Sequence, residues 1–284
     1  MNLINASYKI IEQLPGLEGM YKQIELAGRT CYKSEDRITE DSAKGFVERM
    51  IASGHGAMLE HGTVYLSIPC YIDYSDYGDI IYPDRYYTYE TNPYSKVEVE
   101  VKRWSNNGIL HVTTNLRVLV ENGWMDDLKC ICEPTKYHEK RICVRYTSDI
   151  HFYKDTTRHR VFSWAIESTR FCNYIKEKFG SSVSFLTPVW LKEDEREEFE
   201  EDLKTIESIY FKWINKGWQP QQAAYFLIQG TKAEIFMTGF VSDYKHFFDL
   251  RSDLAKTGKP HPTVSELVEP LRQEFIERGL IWEK

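Results

Sequence analysis

Arginine, histidine and hydroxyl side chains crowd into residues 157–174 of this chain, T-R-H-R-V-F-S-W-A-I-E-S-T-R-F-C-N-Y. A cationic triplet, Arg158, His159 and Arg160, opens the stretch; Ser168, Thr169 and Arg170 follow after seven intervening residues. Guanidinium forks hold phosphate or carboxylate bidentately and stay charged at any working pH, so this set is suited to binding an anion. Between the cations, Val161, Phe162, Trp164, Ala165 and Ile166 imply an ordered, partly buried segment rather than a loose basic tail. Buried arginines need anionic partners, and Glu167 is the one carboxylate inside the stretch, so a bound anion is the economical account. An isolated Arg-His-Arg is commonly a solvated triplet; the whole pattern is more specific.

The elements that must position these groups follow from periodicity and punctuation. Residues 3–10 have the apolar character of a short strand. Residues 16–31 place Met20, Ile24, Leu26 and Ala27 at roughly helical spacing, with Gly28 expected to mark a fraying end. A second helix is expected after Asp41 through Phe46, Met50 and Ile51, stopping at Gly54. Residues 63–69 alternate as a strand does. Residues 71–94 carry eight tyrosines among Asp, Gly and Pro with poor periodicity, which predicts an irregular, stacking-rich insertion. Strands are expected at 97–104, 109–114 and 141–146, with a short helix capped by Asn115 between the last two. A helix over 149–158 delivers the triplet at its C-terminal end. Beyond it come a strand at 182–186 and a long amphipathic helix over 194–213. Phe199, Leu203, Ile206, Tyr210 and Trp213 form one stripe of that helix, a structural feature rather than a chemical one. A helix at 220–227, a strand or helix entry at 231–240, and helices at 243–250 and 263–275 complete the chain.

Composition bounds the answer. The 284 residues admit two domains or one large α+β domain. No repeat or low-complexity linker divides them, so a single domain is expected, mostly antiparallel sheet flanked by helices, with an insertion at about 71–140. Apolar residues at 42% and charged residues at 28% supply a substantial core. A net charge of −7 disfavours general nucleic-acid binding, so an anionic ligand must be held by a local cluster. No apolar run approaches a membrane span and the start is not a signal peptide, so a cytoplasmic location is expected. Cys130, Cys132, His138 and Cys143 fit no common zinc spacing; reduced structural thiols and no metal are the expectation. His55, Glu60 and His61 precede a strand, and such a loop is weak support for a metal site.

The spacing R-H-R-x7-S, ending in E-S-T-R-F-C-N-Y, closely resembles the signature of the flavin-dependent thymidylate synthases. Two more places agree in order: the loop from His55 to the Glu60-His61 pair, and K-H-F-F-D-L-R followed by H-P-T-V-S-E-L. The gap between the first two is long, as in enlarged, phage-type members. The resemblance implies methylation of dUMP to dTMP with methylenetetrahydrofolate, FAD and NADPH, in a homotetramer whose active sites are shared between subunits. It implies no protein nucleophile: the flavin delivers hydride while the protein aligns two anionic ligands and polarises the uracil.

The resemblance also implies a role for each matching position. Asp155 contacts nucleotide and Arg158 lies between nucleotide and flavin, with His159 and Arg160 on the flavin side. Glu167, Ser168, Thr169 and Arg170 cradle the nucleotide, Arg170 on phosphate and the Ser168 hydroxyl near the base. Arg251 stabilises the ionised uracil, a preorganised electrostatic role shared in catalysis with Ser168. His55, Ala57 and His246 contact the flavin, and His261 lies towards the folate. The chain departs from the pattern at Phe171, where tyrosine is usual, and more seriously at Ala224 and Ile228, where many relatives have a phosphate-gripping arginine and a proline. An unreplaced arginine of that kind is worth roughly 1.5–3 kcal/mol. Two other readings are therefore carried: flavin- and folate-dependent hydroxymethylation of a pyrimidine nucleotide, and an inactive nucleotide- or RNA-binding descendant.

Overall fold

The computed structural model describes residues 1–75, 80–101, 106–168, 182–256 and 258–282. Strands β1 (Asn2–Ile4) and β2 (Ser7–Ile11) lead into helices α1 (Gly16–Cys31), α2 (Ser42–Ala52) and α3 (Gly56–Leu59). Next come β3 (Thr63–Tyr71), β4 (Asp73–Tyr74), β5 (Ile80–Ile81), α4 (Asp84–Glu90), β6 (Lys96–Val101), β7 (Asn107–Asn115) and α5 (Leu116–Asn122). The second half holds β8 (Arg141–Asp149), α6 (Ile150–Thr156), β9 (Ser163–Ile166), β10 (Ser184–Leu186), α7 (Arg196–Asn215), α8 (Pro220–Ala223), β11 (Lys232–Phe240), α9 (Val241–Arg251) and α10 (Pro262–Glu277).

A four-stranded antiparallel sheet ordered β2-β8-β11-β9 is the centre of the molecule. Side chains alternate across it, as the two-residue period of a strand requires. Ile235 and Met237 of β11 and Val144 and Tyr146 of β8 face one core with Phe152, Tyr244, Phe247, Phe248, Leu271 and Phe275 of α6, α9 and α10. Phe236 and Cys143 face the other core, with Met20 and Ile24 of α1, Phe46 of α2, and Val64, Leu66, Leu110 and Val112 of a second antiparallel sheet, β3-β7-β6. A small parallel pair, β1-β10, carries α7, whose Leu203 and Tyr210 are buried on it. The α+β, mainly antiparallel architecture expected from the sequence is present.

Three expectations need correction. Residues 3–10 split into two strands in different sheets, β1 on β10 and β2 on β8. Gly28 is not a fraying end: a Cβ there would lie 2.5 Å from Phe46 Cζ, so the glycine lets α1 and α2 approach closely. The tyrosine-rich region is more regular than its composition implies, with the β4-β5 ladder and α4, where Tyr82 stacks on Tyr86 at 4.2 Å. The ambiguous segment at 231–240 is the strand β11, buried along nearly its whole length. Asn115 does cap α5, its Oδ1 accepting from Val118 N at 3.2 Å, and Gly123 closes the helix at φ 71°.

Candidate functional site

Asp149 caps α6 by accepting from Phe152 N at 2.9 Å, so the helix starts at a defined residue and ends just before the triplet. His159 then turns inward, 8% exposed, while Arg158 and Arg160 stay at the surface. At the same edge of the core, α9 presents Arg251 in its last turn. The two segments meet there. Arg251 Nε donates to His159 Nε2 at 3.1 Å and Nη2 donates to the Asp155 carbonyl at 2.7 Å, while the Asp155 carboxylate lies 3.8 Å from Nη1. Because His159 Nε2 accepts, the neutral ring carries its proton on Nδ1. Burial first, then the Arg251 and His246 charges, push the His159 pKa down to about 4, so the ring is neutral at physiological pH. Burial also lowers the Arg251 pKa, opposed by the Asp155 carboxylate. Two of the five guanidinium N–H groups of Arg251 are committed, leaving three to receive an anionic or carbonyl oxygen.

Asp155, His159 and Arg251 are thus brought together, and the exposed His246 ring lies 6.0 Å from that of His159. Arg158 is 73% exposed and 3.9 Å from Asp155, an ion pair that contributes little and leaves its guanidinium free to move onto a ligand. Arg160 lines a cleft of about 210 Å³ with Tyr94, Lys96, Arg141, Phe240 and Asp243. Glu167 takes a different part. Its Oε2 accepts from Lys232 Nζ at 2.8 Å and Glu234 N at 2.9 Å, and Lys33 Nζ lies 3.0 Å away. Glu234 in turn bonds Arg145 at 2.9 Å and Thr147 at 3.0 Å, so Glu167 belongs to an ionic network across β8, β11 and the turn that follows α1. Ser168 follows it, half-buried, with its backbone N donating to the Cys31 carbonyl at 3.1 Å. Thr169 and Arg170 lie outside the described residues.

The histidine loop divides. His55 and Ala57 are exposed at the start of α3, His55 facing a shallow groove with Tyr32 and Arg49. Glu60 pairs with Arg117. His61 is a core residue: Nδ1 lies 2.9 Å from Thr238 Oγ1, and burial holds its pKa near about 3. Among the described residues no group of His, Cys, Asp or Glu could hold a metal ion. His261 caps α10, stacks on His151 at 4.6 Å and meets the edge of Trp190 at 5.6 Å. Ala224 sits half-buried in the turn after α8, beside the exposed Tyr225. A larger cavity of about 430 Å³, between Gln13, Tyr65, Cys132 and Arg278, is lined by none of the residues assigned to nucleotide or flavin, and Arg141 borders both it and the Arg160 cleft.

Sequence reasoning passed over Lys33, Lys232 and Arg141. The signal for the last two was a cation at the mouth of an otherwise apolar strand.

Residues 142–269 match the family model described as thymidylate synthase complementing protein. A flavin-dependent thymidylate synthase of Pyrococcus furiosus is 32% identical over 97 residues, which are 33% of this chain and 38% of that relative. Of the solved structures, the UMP/dUMP methylase PolB from Streptomyces cacaoi bound with 5-Br UMP superposes with a TM-score of 0.45 at 12% identity, over 98% of this chain and 92% of that one. The same enzyme bound with 5-Br dUMP gives a TM-score of 0.41 at 12% identity, over 98% and 93%. The family match covers residues 142–269, less than half of the chain; these run from β8 to α10 and carry both the triplet and Arg251.

Proposed function

We propose that the protein is an enzyme that reductively methylates dUMP to dTMP, using a flavin as redox cofactor, with FAD as the flavin, NADPH as reductant and methylenetetrahydrofolate as the one-carbon donor. The observation that carries the reading is that the family match spans the segment in which Asp155, His159 and Arg251 converge. A flavin fits the residues present: Arg158 and Arg160 are exposed cations, and the cleft at Arg160 is walled by the rings of Tyr94 and Phe240. Arg158, His159, Arg160 and His246 would hold it, with His55 and Ala57 of the α3 loop as further contacts. When bound, it would supply the hydride for the transfer.

The chain's own contribution is electrostatic and geometric. Arg251 is clamped by His159 and the Asp155 carbonyl before any ligand arrives, so it meets developing negative charge on a uracil ring without reorganising. Neutral His159 supports this: a protonated ring would lose its acceptor nitrogen and repel the arginine. Glu167, Ser168, Thr169 and Arg170 are the remaining nucleotide contacts in this reading, with Glu167 itself held by its lysine network. The assembly would be a homotetramer with shared sites, and His261 with Trp190 would offer a stacking surface towards the folate.

Ala224, in place of a phosphate-gripping arginine, keeps hydroxymethylation of a pyrimidine nucleotide as a second reading. One experiment tests both: incubate the protein with dUMP, methylenetetrahydrofolate, FAD and NADPH and weigh the product. A methylated nucleotide is expected; a hydroxymethylated one selects the second reading. No product and no flavin released on denaturation would mean an inactive descendant.

A further inference from the structure

The cleft beside Arg160 gathers more positive charge than the protein neutralises. Arg141, at the start of β8, is 9% exposed, and its Nη atoms find only neutral acceptors: the Glu60 carbonyl at 3.1 Å, Thr63 Oγ1 at 3.4 Å and Ser163 Oγ at 3.5 Å. Its Nε is buried without a partner. No carboxylate among the described residues lies within ion-pair distance of Arg141, Lys96 or Arg160. Lys96 Nζ and Arg141 Cζ lie 5.6 and 5.5 Å from the centre of the same Phe240 ring, so both cations border that ring. Asp243 is the one carboxylate lining the cleft, against three cations, so one charge stands against three. A buried guanidinium with an open donor, next to two further unpaired cations, calls for an anion from outside the protein.

We infer that Lys96, Arg141 and Arg160 form a phosphate subsite, built jointly by the inserted strand β6 and the central sheet, that takes the phosphate or diphosphate of a nucleotide ligand. Cleft volume favours a group of that size: about 210 Å³ accommodates a diphosphate and not a whole dinucleotide. Tyr94, at the rim, offers a ring face to whatever the phosphate is attached to. This subsite rests on the function proposed above only for the source of the phosphate, which is either a flavin dinucleotide or the reduced nicotinamide dinucleotide phosphate.

Inorganic pyrophosphate is the direct probe, titrated calorimetrically into the full-length protein and its Lys96→Ala, Arg160→Ala and Lys96→Arg variants. Lys96 and Arg160 are exposed, so these variants should fold. The expected result is binding to wild type, a loss of about tenfold or more in each alanine variant, and recovery in Lys96→Arg, the scale of one charge-assisted contact to phosphate. Parallel titrations separate the two sources. If the source is the flavin, Lys96→Ala weakens FAD but not riboflavin; if it is the nicotinamide ligand, FAD is untouched and pyrophosphate competes with NADPH. Absence of pyrophosphate binding, or affinity equal in wild type and Lys96→Ala, overturns the subsite even if the enzyme turns over. Lys96-dependent pyrophosphate binding in a protein that takes no flavin would instead sink the proposed function and leave the subsite standing.

Discussion

Arg251 joins the parts of the site, and its replacement is the sharpest test of them. Its Nε and Nη2 donate to His159 Nε2 at 3.1 Å and to the Asp155 carbonyl at 2.7 Å. In Arg251→Lys the charge remains, but an ammonium on a flexible stem cannot meet both acceptors in the plane of the lost fork. Arg251→Gln also removes the charge from beside the imidazole. His159 is held at about 4 against an ordinary value of 6.5, a preference for the neutral ring of roughly 3 kcal/mol. Burial is the larger cause and Arg251 the second, so the arginine accounts for less than half of the depression. Arg251→Gln should therefore raise the His159 pKa measurably, though by no more than about one unit. The assay pairs an NMR titration of the imidazole with product formation from dUMP. Under the proposed function, both variants should keep their flavin and its reduction by NADPH, while methyl transfer falls at least about a hundredfold, as when one preorganised donor is removed. Near-normal turnover by Arg251→Lys, or a His159 titration that stays put in Arg251→Gln, would refute the argument.

Other consequences are open to measurement. Glu167→Gln leaves Lys33 and Lys232 short of a counter-charge they meet at 3.0 and 2.8 Å; since Glu234 still holds Lys232, the stability loss should be about 2–3 kcal/mol, towards the low end for a broken buried pair, read from urea midpoints. In Gly28→Ala the added Cβ would sit 2.5 Å from Phe46 Cζ, and overpacking of about 1–3 kcal/mol should outweigh the roughly 1 kcal/mol gain in helix propensity; a stabilised variant would contradict this. His159 and His61 stay neutral down to about 4 and about 3, whereas unfolded histidines take up protons below about 6.5. Unfolding then gains protons as pH falls, so their contribution is complete above pH 6.5 and declines as pH drops through the window towards 4 and 3, which denaturation midpoints in an acidic series will register.

Much of the scaffold was decided locally. The helices Gly16–Cys31, Ser42–Ala52 and Arg196–Asn215 follow from apolar spacing, and Asn115 and Asp149 sit where a cap must sit, because these preferences act within a turn or two of chain. The cationic triplet and Arg251 were likewise legible as chemistry without a home. Their meeting was not: the bond from Arg251 to His159 spans 92 positions and exists because β8 and β11 pair in one register, bringing the ends of α6 and α9 to the same edge of the core. Register also decided that Glu167 turns to Lys232 and Lys33, that the strand-like residues 3–10 serve two sheets, and that Gly28 marks a close helix contact. Arg141 is the clearest case. As a residue type at a strand end it is unremarked. Only packing against Phe240, beneath the inserted strand, makes it a buried charge with an open donor, since burial is a property of the assembled sheets and not of any stretch of chain.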